Sequence, residues 1–187
     1  MATKIYIDQG HNPVNPNAGA EGNGYREQDL VFRIGIELAN LLRNNGNFEV
    51  RLSRPNASTQ IGTSNTSSLR ARVNEANSWG ADYFISLHTN ASENPSATGS
   101  EAFAYSRPSA AFSLGEDILR RMTEATGLRN RGMFTRPGLY VLKKTVMPAV
   151  LVELGFISNP RDSSLMANDP ELFARGIYRG ILDYLDI

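Results

Sequence analysis

Two periodicities take turns along this chain. Lys4-Ile5-Tyr6-Ile7-Asp8 reads as a strand and is ended by Gln9-Gly10. A loop rich in Asn, Pro and Gly follows, from His11 to Gly24. The next stretch, about Tyr25 to Asn44, places Leu30, Ile34, Leu38 and Leu41 at helical spacing, with Val31 and Leu42 widening the stripe. Asn45-Gly46 ends that helix, and Phe48–Leu52 alternates as a second strand. Arg54 to Ser67 is polar loop. A helix from about Ser68 to Trp79 carries Leu69, Val73 and Ala76 on one side. Asp82–His88 is a largely apolar third strand, and Ser100–Tyr105 a fourth. Ala110–Thr126 is predicted as a helix faced by Leu114, Ile118, Leu119 and Met122. Leu139–Leu142 is expected to be a short strand and Ala149–Glu153 a central one. Pro170–Leu185 closes the chain as a helix, with Pro170 suited to its first turn.

Strands alternating with helices predict an α/β sandwich with a mainly parallel sheet. At 187 residues the chain is expected to form one domain, 1–187, with a core that needs no covalent staple. No repeat, low-complexity tract or interdomain linker interrupts it. Lys+Arg and Asp+Glu are 19 each, which argues against a protein that grips nucleic acid by bulk positive charge. No apolar run approaches the ~20 residues of a membrane helix. Met1 to Asp8 is too short and too polar for a signal peptide, so no leader is read in this chain. Cysteine is absent, which removes thiol chemistry and Cys-based metal sites. The only histidines are His11 and His88.

In open α/β sheets, ligands bind beyond the carboxyl ends of the strands. His11 follows the first strand, His88 ends the third, and Glu153 ends the apolar strand that begins at Ala149. If these strands are parallel neighbours, the three side chains converge. Glu27 lies in the first turn of the long helix and in line with its apolar stripe. Each has a plainer reading when taken alone. Glu153 can be a solvated or Arg-paired carboxylate, His11 and His88 ordinary loop or core histidines, and Glu27 an acid placed by the helix dipole. Glu21 and Asp29 compete with Glu27, but one is in the loop and the other points off the stripe. Together, two imidazoles and a carboxylate form a zinc pattern with a coordination position left for water, and a further carboxylate can move the proton. No H-E-x-x-H helix motif is present.

Four segments carry a resemblance: Asp8-Gln9-Gly10-His11, Gly24–Leu30 around Glu27, Ser86–Ala91 around His88, and Val152–Asn159 around Glu153. In this order and spacing the chain resembles the zinc-dependent N-acetylmuramoyl-L-alanine amidases of the amidase_3 class. The resemblance implies a six-stranded, mostly parallel sheet flanked by helices. It implies one Zn2+ held by His11, Glu27 and His88, with Glu153 as general base. The implied reaction is hydrolysis of the amide between N-acetylmuramic acid and the L-alanine of peptidoglycan stem peptides. Leu69-x-x-Arg72, Gly99–Tyr105 and Arg54 also match the pattern and are read as scaffold. Gln9 and Asn12 depart from it and, lying beside the first ligand, are expected to alter substrate fit.

The expected partner is peptidoglycan, with neither nucleic acid nor a membrane span. The protein is read as a monomer acting on the cell wall, with an exported autolysin, a spore-cortex enzyme and a phage lysin all left open, and an activating protein stays open. Three other readings stand beside this one: a zinc peptidase of the stem peptide, a wall-binding module with a decayed site, and a structural domain with chance histidines. Arg120, Arg121, Arg129, Arg131 and Arg136 are candidates for a local basic patch, although such clusters are usually solvated surface.

Overall fold

The computed structural model describes residues 2–187. Met1, the first residue of the stretch read as free of a leader, lies outside the described residues. In chain order the elements begin with β1 (Thr3–Gln9), β2 (Glu21–Gly22), β3 (Tyr25–Arg26), α1 (Glu27–Asn45) and β4 (Phe48–Leu52). Next come α2 (Asn65–Trp79), β5 (Tyr83–Asn90), β6 (Ser100–Ala104), α3 (Ala110–Thr126) and β7 (Asn130–Thr135). The chain ends with α4 (Tyr140–Lys144), β8 (Ala149–Phe156), α5 (Pro160–Asn168) and α6 (Pro170–Leu185). Six strands form one sheet in the order β4-β1-β5-β8-β6-β7. All neighbours are parallel except β6 and β8. β2 and β3 make a separate antiparallel hairpin.

The two faces of the sheet are covered unequally. On one face, Ile5, Ile7, Ile85, Leu87, Val150 and Val152 pack under α1, α3 and α6. The apolar stripe of α1 is buried there, as its spacing predicts. On the other face, Tyr6, Phe84, Ala149 and Leu151 meet Val73 and Ala76 of α2 and Val141 and Leu142 of α4. Strands covered on both faces read as near-continuous apolar runs, which is why β1, β5 and β8 stand out in the sequence. The parallel β1, β5 and β8 therefore present their carboxyl ends at one edge, and α1 begins there.

The sheet has the expected number of strands, but one of them is elsewhere. Leu139–Leu142 is not a strand. Its residues open α4, and Val141 and Leu142 are adjacent buried positions on a short helix. A run of four apolar residues is too short for its period to separate the two states. The sixth strand is β7, at the sheet edge, where most side chains are exposed and alternation is lost. The polar α5 is a further addition. Asn159 caps it by accepting from the N–H groups of Arg161 and Asp162, with Pro160 following.

α3 and α6 approach closely at Gly176 and Gly180. A Cβ at Gly180 would fall far inside van der Waals contact with the Cα of Ile118, and one at Gly176 would do the same with Met122. Gly180→Ala tests this. Helix propensity alone favours alanine by roughly 1 kcal/mol. The overlap is with backbone, so the two helices must separate, at about 1–3 kcal/mol. Urea unfolding is expected to show net destabilisation; a gain in stability would mean that the helices part freely.

Candidate metal centre

The site begins with a buried cation. Arg72 on α2 is fully buried beneath the end of β1. Its guanidinium donates to the Asp8 carboxylate at 2.6 Å, to the Gln9 carbonyl at 2.7 Å and to the His11 carbonyl at 2.5 Å. Ser86 donates to the other Asp8 oxygen at 2.8 Å. Burial opposes ionisation of Asp8, but the adjacent Arg72 charge overcomes it and holds the carboxyl below its usual range. The bracket turns the chain sharply. His11 has φ of 66°, a left-handed conformation in which histidine is among the better-tolerated residues. Gly10 before it has no room for a side chain, since a Cβ would lie 2.6 Å from the His88 ring.

Glu27 enters from the first turn of α1. Its backbone N–H donates to Ala20, which ties the helix start to the hairpin loop. One carboxylate oxygen, Oε1, lies 3.2 Å from His11 Nε2 and 3.2 Å from His88 Nδ1, and accepts from the Thr89 N–H at 2.9 Å. Oε2 accepts from the Ala20 N–H at 2.9 Å. The two imidazoles meet edge to face with centroids 4.9 Å apart. Burial alone would raise the Glu27 carboxyl. The hydrogen bonds and charge of both histidines outweigh that and hold it well below the usual carboxylate range. Burial likewise opposes the charge on His88, and the Glu27 contact reverses this, raising the imidazole above its ordinary value.

These residues fit one metal ion. One ligand atom from each of His11, Glu27 and His88 lies within 4.8 Å of the others. Two ligands bound tetrahedrally at ~2.1 Å stand about 3.4 Å apart, close to the 3.2 Å measured between each ring nitrogen and the shared oxygen. The donor set of two nitrogens and an oxygen suits zinc and its first-row neighbours.

Glu153 lies beside the cluster, not in it. It is in register with His88 across β5 and β8 and with Glu101 across β8 and β6. Its Oε2 is buried and has no hydrogen-bond partner among the described residues. Burial pushes its carboxyl up to about 7; His88 and Arg136 pull it down, while Glu27 and Glu101 push it further up. Glu101 is itself tied down, accepting from Asn90 at 2.7 Å and from Arg131 at 3.1 Å.

Of the competing acids, Glu21 and Asp29 are exposed and lie 4.0 and 3.5 Å from Arg26, outside the cluster. Gln9 and Asn12 are both buried. Gln9 turns its side chain toward Gly35 of α1 and accepts from the Arg54 N–H. Asn12 is buried and donates to the Pro16 and Ile61 carbonyls. Both side chains hold the backbone around the first ligand in place. The arginines do not form one patch. Arg120 and Arg121 pair with Asp183, and Arg131 with Glu101. Sequence reading treated Arg72 as scaffold and did not link it to Asp8. The signal was there, an acid ending an apolar strand and an arginine beside Val73 on the apolar side of a helix.

Two imidazoles at strand ends and a carboxylate from the start of α1, with an unpaired carboxylate alongside, give an α/β domain whose cluster fits a single metal ion. Residues 5–183 match the Amidase_3 family, described as N-acetylmuramoyl-L-alanine amidase, and the chain belongs to that family. It is 37% identical over 179 residues to the N-acetylmuramoyl-L-alanine amidase CwlM of Bacillus licheniformis, covering 95% of this chain and 65% of that protein. Across the first three curated relatives it spans between 35% and 66% of their lengths. The crystal structure of N-acetylmuramoyl-L-alanine amidase from Clostridium difficile 630 superposes with a TM-score of 0.89 at 30% identity, covering 99% of this chain and 97% of that one. The CwlD amidase of Clostridioides difficile, solved in complex with the GerS lipoprotein, gives 0.85 at 27% identity, covering 98% of each chain. No helix among the described residues is long and apolar enough to cross a membrane.

The raised Glu153 carboxyl has a consequence for stability. An unfolded chain ionises this group near 4.5, while the folded metal-free protein holds the proton to about 7. Stability therefore falls as pH rises from about 4.5 through about 7, and the deficit is complete above that. Metal-free Glu153→Gln is expected to melt a few degrees above the metal-free parent at pH 8 and level with it at pH 4. Equal melting at both would mean that Glu153 ionises freely.

Proposed function

We propose that residues 1–187 form a zinc-dependent catalytic domain that hydrolyses the amide between N-acetylmuramic acid and the L-alanine of peptidoglycan stem peptides. The observation that carries this is the His11–Glu27–His88 cluster with an unpartnered carboxylate, Glu153, one strand away. Membership of the amidase family supplies the bond and the polymer.

His11, Glu27 and His88 are the proposed zinc ligands. When bound, zinc supplies a Lewis acid for a carbonyl oxygen and lowers the pKa of a water ligand toward ~7. The chain's own residues do the rest. Arg72 and the Ala20 and Thr89 N–H groups fix the ligands in place before any ion arrives. Glu153 is the general base, its buried carboxylate in register with His88 across β5 and β8. It takes the proton of the attacking water and returns it to the alanine amine as the C–N bond breaks. Its free oxygen is the acceptor that this step needs.

The domain is proposed to act at the cell wall as a monomer. A protein activator is a further element of the reading, supported by the CwlD relative in complex with the GerS lipoprotein.

Metal analysis joined to fragment analysis tests the assignment. Purified protein is expected to hold one zinc per chain and to release stem peptides that begin at alanine. Shortened stem peptides would keep the metal site but move the bond cleaved. Glu153→Gln is expected to keep its zinc and lose activity by roughly 10²–10⁴-fold. His88→Ala is expected to lose zinc as well. Normal zinc content in His88→Ala would break the ligand set, and normal turnover in Glu153→Gln would remove the base.

A further inference from the structure

α2 and α4 cover only part of their face of the sheet. Beyond β8 the same face continues across β6, where Phe103 is still buried in the cluster that holds Val141 and Leu142 of α4, to β7, whose side chains are mostly exposed. Glu101 and Phe103 stand on β6, in register with Glu153 and Leu151 of β8. Phe134 stands on β7 opposite Phe103, with ring centroids 6.2 Å apart, and it is 47% exposed. Tyr105 follows Phe103 by two residues and is exposed to the same degree. Arg136 follows Phe134 by two residues, its N–H continuing the ladder to the Ala104 carbonyl at 2.9 Å.

The Arg136 guanidinium lies 4.5 Å from the Phe103 ring centroid, so it is held over the shelf by a cation–π contact. It has no carboxylate partner among the described residues. Arg131 differs, because Glu101 takes its charge. Phe103 is two residues along β6 from Glu101, about 7 Å, and Glu101 stands across one strand spacing from Glu153. An extended peptide whose scissile amide sits at Glu153 would thus bring its second or third residue level with Phe103, a ring that is itself buried and lies under the Arg136 guanidinium. Arg136 also faces Glu153 closely enough to act on its charge.

We propose that the β6–β7 shelf is the stem-peptide subsite, with Arg136 binding a carboxylate of the residues that follow the cleaved amide. This inference rests on the amidase reading above. Arg136 touches neither the metal ligands nor the reacting atoms, and it determines specificity. A planar guanidinium supported on a ring is prepared for a bidentate carboxylate, and the exposed Phe134 and Tyr105 supply apolar walls for the peptide stem.

The test uses soluble N-acetylmuramoyl peptides with all carboxylates free, or with those of the second and third residues amidated one at a time. With the free acids, Arg136→Ala is expected to raise KM about tenfold, the scale of one charge-assisted hydrogen bond. One amidated form is expected to raise the parent's KM equally and to show no further penalty in Arg136→Ala. Arg136→Lys is expected to fall between. A penalty of the same size on every substrate would overturn the subsite. So would an unchanged KM with only the pH profile of kcat displaced, since Arg136 would then act on Glu153 alone. If the parent cleaves none of these peptides, nor peptidoglycan, the amidase reading itself falls, and the subsite with it. If the parent cleaves them and Arg136→Ala matches it throughout, only the subsite falls.

Discussion

The site depends on one buried charge. A guanidinium sealed from water under the end of β1 is costly unless its donors are all used. Arg72 uses them on Asp8 and on the carbonyls of Gln9 and His11, groups that would otherwise end a buried strand without partners. The arrangement joins three things that the sequence keeps far apart: a helix, a strand end and a left-handed histidine. Removing either Asp8 or Arg72 would leave its partner charged and buried. The bracket therefore fixes the backbone of the first imidazole as firmly as the core fixes a leucine.

From that bracket outward, the rest of the centre is built by parallel register. Asp8 is level with Ser86, and His88 with Glu153. Glu27 then arrives from the start of α1. Its carboxylate is satisfied by two backbone N–H groups as well as by two rings. Such a group cannot wander, so the ligands are ordered in advance of the ion. Glu153 is the contrast. Its buried oxygen has no partner, and its proton is held to near neutrality by the same burial that destabilises its anion. One carboxylate is over-satisfied and the other is left wanting, and the chemistry proposed for each follows from that difference.

Much of this was legible before any coordinates. Buried parallel strands leave long apolar runs, so β1, β5 and β8 could be read, and with them the polar residues at their ends. The stripe of α1 pointed to Glu27 because a charge continued an apolar face. What escaped was structure whose side chains meet water. β7 is an edge strand with no buried alternation, and its place was given to Leu139–Leu142, whose four apolar residues fit a turn of helix equally well. Gln9 and Asn12 were placed beside the first ligand correctly, but the direction of a side chain at a strand end depends on what packs beneath it. The β1–α2 bracket was hidden for a different reason. An ion pair between residues 64 positions apart has no local signature.

The unequal cover of the sheet has a meaning for how such a domain meets its target. A deep pocket selects by enclosure, and what it selects must be small or flexible enough to enter. A cross-linked mesh is neither. An exposed edge strand such as β7, two strands from Glu153, can instead be laid against an extended surface. Under the proposed subsite, discrimination would come from charge and ring surface along a line, with a single arginine, Arg136, at its far end.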